Sequence, residues 1–253
     1  MTSDPSHNMN MNIGNRWIEV LAVFFVVHSI LTLLGFGVQS LPIVKNSPDT
    51  DLLSRLISTI SFQSVFLVSS VICFFYLNHP PRKELGLRRG PVLKFVLWNV
   101  ATAVVSIMVC YVLNNLLHQL LQSSDLPSTE QKVVSDLRTS ENPAIVYAMI
   151  TSVVILAPVA EELFFRGLLY NLMAPRGKVS AMVFISVVFG LIHYSGTGES
   201  GADILSGLVR TIPFMALSGF LFTSYRLTGN ILSPIVCHML FNLFGVIATR
   251  NGG

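Results

Sequence analysis

The chain has 253 residues, of which 52% are hydrophobic and 11% are charged, and its formal net charge is +3. Soluble domains carry roughly 25% charged residues, and a mean hydropathy of +0.65 implies more apolar surface than a globule of this length can bury. This composition excludes a soluble enzyme, a disordered chain and, with three cysteines, a disulfide scaffold, and the small net charge gives no reason to expect nucleic acid as a partner.

Seven apolar stretches approach the roughly 20 residues that a helix needs to cross a bilayer. In chain order they cover residues 17–38, 56–77, 92–117, 144–173, 179–194, 204–225 and 231–248. The predicted fold class is therefore all-α, a polytopic membrane bundle of about seven transmembrane helices, with six to eight compatible with the pattern. The polar residues 1–16 are predicted to form a disordered N-terminal tail.

The connection between the second and third spans is basic. Against the single acid Glu84 it carries four cations, Arg82, Lys83, Arg88 and Arg89. The positive-inside rule places this loop in the cytoplasm, and alternation then places the N-terminus inside and the polar segment 118–143 outside. That segment is expected to contain a short surface helix. We divide the chain into N-terminal transmembrane helices (17–143) and a core (144–250).

Two acidic residues, Glu161 and Glu162, lie deep inside an apolar span. A charge at mid-bilayer costs about 2.5 to 3.5 kcal/mol on insertion scales, so such residues usually face a cavity, pair with a partner or perform chemistry. Arg166 follows Glu162 by four residues, which places the two on one helix face within pairing distance. Glu161 is rotated by about 100° and is free for another role. The alternative is a buried ion cluster that only holds helices together.

Two histidines and an asparagine are expected at a similar depth. At about 1.5 Å per residue, Glu161 lies roughly 20 Å along its helix from the turn at Arg176, and His193 lies roughly 20 to 25 Å from the same turn. His238 and Asn242, one helical turn apart on the last span, fall roughly 10 to 20 Å from the preceding turn. The sequence therefore predicts that three helices bring these polar groups together.

These residue types are the ones needed to cleave an amide with water. A buried carboxylate can act as a general base, and a neighbouring histidine can hold the water or shuttle the proton. A second histidine and an asparagine amide can stabilise the oxyanion of a tetrahedral intermediate. Cys237 is adjacent to His238, but neighbouring helical residues point about 100° apart, so a cysteine–histidine dyad is not expected.

Three motifs in this order resemble a known family. Glu161 to Arg166 matches EExxxR, Phe189 to His193 matches FxxxH, and His238 to Asn242 matches HxxxN, as in the CAAX prenyl endopeptidases and their bacterial relatives, the CPBP or Abi family. Phe165-Arg166-Gly167 and Thr228-Gly229-Asn230 are similar to further family features. The resemblance covers the chain from residue 144 onward.

The resemblance implies an integral membrane endopeptidase, most simply a bacterial one, in the cell membrane. Its substrate would be a membrane-associated peptide or lipidated protein cleaved near the cytoplasmic face, and membrane lipids are its other expected partners. By position, Glu161 would be the general base, His193 its partner, and His238 with Asn242 the oxyanion donors. Glu162 and Arg166 would support them.

The metal dependence and two other functions stay open. Relatives are often described as metalloproteases, and zinc held by Glu161, His193 and His238 is an alternative. We favour a mechanism without a cofactor because HExxH is missing and an arginine competes with a divalent ion beside the carboxylates. The other functions are a non-catalytic scaffold or bacteriocin-immunity-type partner that keeps the protease fold, and a transporter. The transporter is disfavoured because no repeated pair of broken helices is present.

Overall fold

The computed structural model describes residues 5–77, 85–86, 91–124, 132–195 and 199–251. Within these ranges the regular structure is helical, without a strand, as the predicted all-α class requires. Numbered in chain order, the helices are α1 (Pro5–Gln39), α2 (Pro42–Lys45), α3 (Thr50–Ile72), α4 (Val92–Ser123), α5 (Lys132–Thr139), α6 (Pro143–Arg176), α7 (Lys178–Leu191), α8 (Gly201–Val209), α9 (Ile212–Thr228) and α10 (Leu232–Asn251).

Six helical segments of the described chain are long and apolar enough to cross a bilayer. They are Ile18–Gln39, Thr50–Leu77, Val92–Ser123, Pro143–Arg176, Gly201–Thr228 and Leu232–Arg250. The chain is therefore a multi-pass membrane protein, within the predicted range of six to eight spans. The predicted span 179–194 is the exception, because α7 has only 14 residues and is about 21 Å long, short of the roughly 30 Å hydrocarbon core.

Two predictions for the N-terminal half, a disordered tail and a surface helix in the polar segment 118–143, have different outcomes. Helix α1 begins at Pro5, so most of the tail predicted to be disordered is helical, and that prediction was wrong. Extending an existing helix adds one hydrogen bond per residue and needs no new nucleus. The expected surface helix in the polar segment is present as α5.

The basic loop with Arg82, Lys83, Arg88 and Arg89 lies outside the described residues, so the orientation in the membrane stays a prediction.

Helix α6 is α-helical in part and π-helical in part. It contains π-helical turns at Ser152–Leu156 and Leu163–Tyr170, with the α-helical Ala157–Glu162 between them. Pro158 explains the first turn, because proline has no N–H for the helix ladder and its ring clashes with the carbonyl four residues earlier, that of Val154. Two wide turns thus flank the segment that ends in the two glutamates.

Aromatic packing sets the relative position of α3 and α6. The Phe66 ring on α3 lies 4.7 Å from the Phe164 ring and 5.6 Å from the Phe165 ring, centroid to centroid. Phe24 of α1 contacts Phe164 at 5.4 Å, and Phe189 of α7 contacts Phe165 at 5.4 Å. Large aromatic side chains dominate core energetics, so this row holds four helices at a fixed register.

The start of α10 is held by a tight turn against the N-terminal half. Gly229 ends α9 in the left-handed conformation with φ of 61°, and Asn230 Oδ1 accepts from the Leu232 backbone N–H at 3.0 Å. The Ile231 N–H donates to the Leu85 carbonyl at 3.0 Å. Gly86 has φ of 63°, and a Cβ there would lie 1.6 Å from the Gly229 oxygen, so only glycine fits. This contact fixes the depth of His238.

Candidate active site

Glu162, Arg166 and His238 form a buried ion-pair network. Glu162 Oε1 accepts from Arg166 Nη1 at 3.0 Å and contacts His238 Nδ1 at 3.0 Å. All three side chains are buried. The predicted pairing of Glu162 with Arg166 is confirmed, and α10 supplies His238 to the same carboxylate oxygen. A carboxylate that holds one cation and one imidazole is largely committed to those partners.

Arg166 is fully enclosed by three helices. Its Nη2 donates to the Ser218 carbonyl at 3.0 Å and contacts the Ser218 Oγ at 2.7 Å, both on α9. The guanidinium carbon lies 4.9 Å from the centre of the Phe189 ring and 4.7 Å from that of Phe222. These hydrogen bonds and cation–π contacts offset part of the cost of burying the charge. Arg166 therefore orders the site and is not exposed to a substrate.

Glu161 is buried as well, but it has a different set of contacts. Its Oε1 accepts from the side-chain amide of Gln63 on α3 at 3.1 Å. Its Oε2 has no hydrogen-bond partner in the described part of the chain. Glu161 thus lies apart from the Glu162 ion pair, as the 100° rotation between neighbouring helical residues predicts.

Gln63 is a residue of this site that we did not predict from the sequence. Charge is what makes a residue stand out within an apolar span, and an amide carries no charge. An amide in the middle of the run ISFQSVF is nevertheless a signal, because polar groups inside a bilayer need partners. The partner lies 98 residues away, which local spacing does not reveal.

His193 lies in the turn that follows α7. Its Nδ1 is 2.7 Å from the Phe189 carbonyl oxygen, so Nδ1 carries the proton and donates. Its ring stacks on Phe214 with centroids 4.4 Å apart. Nε2 is then the acceptor nitrogen of the neutral ring. His193 is close enough to both Glu161 and His238 to interact with them electrostatically.

Asn242 lies one turn after His238 and binds the first π-helical turn of α6. The Ala157 N–H donates to Ser152, five residues back, and Pro158 has no N–H. The Val153 carbonyl therefore lacks its usual helical donor, and Asn242 Nδ2 donates to it at 2.8 Å. One amide hydrogen of Asn242 is used in this way. The second is available to another acceptor.

The structure brings five of the six predicted residues into one cluster. We call Glu161, Glu162, Arg166, His193 and His238 the glutamate cluster. Asn242 borders it from the next turn of α10, and Gln63 joins it from α3.

The alternative zinc site fits this arrangement poorly. In the described part of the chain, no three His, Cys, Asp or Glu side chains converge in a way that could hold a metal ion. The Arg166 charge lies against the Glu162 carboxylate, at a place where it would repel a divalent ion.

Two buried carboxylates, a buried arginine and a buried histidine thus lie together inside a bundle of membrane-spanning helices. Residues 143–244 match the family model described as Rce1-like, type II CAAX prenyl endopeptidase Rce1-like. The match spans 102 of the 253 residues and contains all six predicted site residues. It confirms the resemblance that the three motifs indicated and points to a membrane protease of the CAAX type. No curated protein and no solved structure matches the chain.

Proposed function

We propose that this protein is an intramembrane endopeptidase of the cell membrane that hydrolyses a peptide bond in a membrane-associated peptide or lipidated protein. One observation carries the proposal: the two adjacent buried carboxylates of the glutamate cluster are held by different kinds of partner. Glu162 Oε1 is bound by both Arg166 and His238, whereas the partner of Glu161 Oε1 is the neutral amide of Gln63, and the Oε2 of each glutamate has no partner in the described chain. A cluster that only joined helices would be expected to satisfy both carboxylates.

Glu161 is the proposed general base. Its Oε2 takes a proton from a water molecule as the water oxygen forms a bond to the carbonyl carbon of the scissile amide. The carbonyl π electrons move to oxygen and give a tetrahedral oxyanion. The proton then passes to the amide nitrogen, the C–N bond breaks, and an amine and a carboxylic acid are released. The role that we assign to His193 is to orient the water, with its ring held by the contact of Nδ1 with the Phe189 carbonyl.

His238 and Asn242 are the proposed oxyanion donors. Because Glu162 binds His238 Nδ1, the imidazolium form of this ring directs its other N–H, at Nε2, away from the ion pair. Asn242 contributes the amide hydrogen that does not bind Val153. Each such donor is typically worth about 2.7 to 4 kcal/mol of transition-state stabilisation.

The test is cleavage by protein reconstituted in liposomes and offered a peptide library, with and without a C-terminal prenyl-cysteine. We expect Glu161→Ala to lower kcat/KM about 10²- to 10⁴-fold, and His193→Ala to lower it by a similar factor. His28→Ala is the matched control, because His28 is an exposed histidine on α1. Cleavage that survives both active-site substitutions would refute the mechanism.

The same assay addresses the metal. We expect activity to persist after treatment with 1,10-phenanthroline and dialysis against EDTA, because carboxylate and imidazole groups alone carry the steps above. Loss of activity that zinc restores would replace this mechanism with a metal-dependent one.

A further inference from the structure

Gln63 reaches the site from outside the region that matches the family model. It lies on α3, and only 8% of its surface is exposed. Its Nε2 donates to Glu161 Oε1 at 3.1 Å across 98 residues of sequence. Burying an amide costs free energy unless it is hydrogen-bonded, and the contact with Glu161 offsets part of that cost, since Gln63 Oε1 has no partner in the described chain.

The contact distinguishes the two oxygens of Glu161. With Oε1 occupied by the amide, the lone pairs of Oε2 are left available, and Oε2 has no hydrogen-bond partner in the described chain. A general base needs one oxygen that is free to take a proton and that is held in a fixed direction. A single donor on the opposite oxygen provides both conditions.

The chemistry of the amide suits this role better than a cation would. Glu162 is an example of a carboxylate held by a cation, because Arg166 forms an ion pair with its Oε1 and His238 contacts the same oxygen. A neutral amide holds the carboxylate in place by a hydrogen bond without adding a full positive charge beside it.

The helix packing makes the position of Gln63 rigid. Phe66, three residues later on α3, contacts both Phe164 and Phe165, which follow Glu161 on α6. Residues three apart on a helix lie on the same face, so these rings fix the distance between Gln63 and Glu161.

We infer that Gln63 is a positioning residue of the proposed peptidase, holding Glu161 by Oε1 so that Oε2 faces the water and the scissile bond. The inference rests on the proposed function. Gln63 lies outside the matched residues 143–244, so the inference gives an N-terminal helix a part in the chemistry. A misplaced base lowers the rate of the chemical step more than it lowers the affinity for substrate.

The experiment compares kcat and KM of wild type, Gln63→Met and Gln63→Glu on the peptide cleaved fastest in the library. Methionine keeps the length of the side chain and removes the donor, and we expect kcat to fall about 10- to 100-fold with KM within about twofold. Glutamate keeps the shape but puts an acceptor against Glu161, so its kcat should fall at least as far. Gln63→Asn keeps a donor on a shorter chain and should recover part of the activity.

Gln39→Met is the matched control. Gln39 is also a hydrogen-bonded amide between helices, since its Nε2 donates to the Ser54 carbonyl at 3.0 Å and to Ser58 Oγ at 2.9 Å. We expect its kcat to stay within about twofold of wild type, because it does not contact the site. Thermal unfolding of each variant in detergent identifies any loss that comes from misfolding.

Two results would overturn the inference, and both differ from failure of the proposed function. One is a folded Gln63→Met protein with wild-type kcat while Glu161→Ala is inactive. The other is a further loss when Gln63→Met is added to Glu161→Ala, because a residue that acts through Glu161 has no additional effect once Glu161 is removed. If Glu161→Ala itself keeps full activity, the proposed function fails first.

Discussion

Two buried polar clusters meet on α10, and neighbouring residues belong to different ones. Cys237 belongs to what we call the asparagine cluster, formed by Asn99, Ser224, Ser233 and Cys237. Asn99 Oδ1 accepts from Ser233 Oγ at 2.5 Å and from Cys237 Sγ at 3.2 Å, and Ser224 Oγ contacts Ser233 Oγ at 2.7 Å. His238 belongs to the glutamate cluster. One cluster is neutral and the other is charged.

The difference between the clusters separates a structural role from a chemical one. In the asparagine cluster each of the four side chains has a hydrogen-bond partner within the cluster, and the cluster joins α4, α9 and α10. In the glutamate cluster, Glu161 and Glu162 each keep an oxygen without a partner in the described chain. A satisfied buried network stabilises a fold, whereas an incomplete charged one costs free energy and needs another explanation.

Substitutions of the adjacent residues Cys237 and His238 on α10 should give the largest difference in kcat. We expect His238→Ala to lower kcat about 10²- to 10³-fold, because an oxyanion donor and the partner of Glu162 are lost together. Cys237→Ala should keep kcat within about twofold, since its Sγ binds Asn99 on the other side of the helix. Both rates come from peptide cleavage in liposomes.

The reverse result would show that the two clusters have been assigned wrongly. If Cys237→Ala abolished cleavage in a folded protein, a thiol nucleophile would have to replace Glu161-activated water.

The contribution of the glutamate cluster to stability can be measured by substituting Arg166. Arg166→Met keeps the length of the side chain but leaves Glu162 buried with only His238 as its described partner. Breaking a buried ion pair by removing one partner typically costs about 3 to 5 kcal/mol, so the free energy of unfolding in detergent should fall by about that amount. Adding Glu162→Gln should recover part of the loss. A single variant as stable as wild type would show that the pair contributes nothing net.

Substituting Asn99 measures the contribution of the asparagine cluster to stability, and we expect this effect to be the smallest of the three. Asn99→Ala removes the acceptor shared by three side chains, and we expect the free energy of unfolding to fall by about 1 to 3 kcal/mol with kcat essentially unchanged. Asn114→Ala on the same helix is the control, because Asn114 is exposed and should change stability by less than about 0.5 kcal/mol. A large loss of kcat in Asn99→Ala would contradict a purely structural role for this cluster.

Much of the site could be predicted because its signals are local. The rarity of charge in apolar spans singled out Glu161 and Glu162, and a spacing of four residues paired Glu162 with Arg166. The length of α7 could not be predicted in the same way, because its apolar run continues beyond the last helical residue, Leu191, into the turn in which His193 lies. Hydropathy measures how apolar a segment is and does not record where its helix stops.

The spans, the ion pair and the three motifs follow from local sequence, because helix periodicity and the cost of buried charge act within a few turns. The unequal surroundings of the two glutamates are decided by tertiary packing. Gln63 lies 98 residues before Glu161, and His238 lies 76 residues after Glu162. The Phe66 contacts and the Gly86 turn bring these partners into place, so no pattern within one helix could show that an amide holds Glu161 or that His238 joins the ion pair at Glu162.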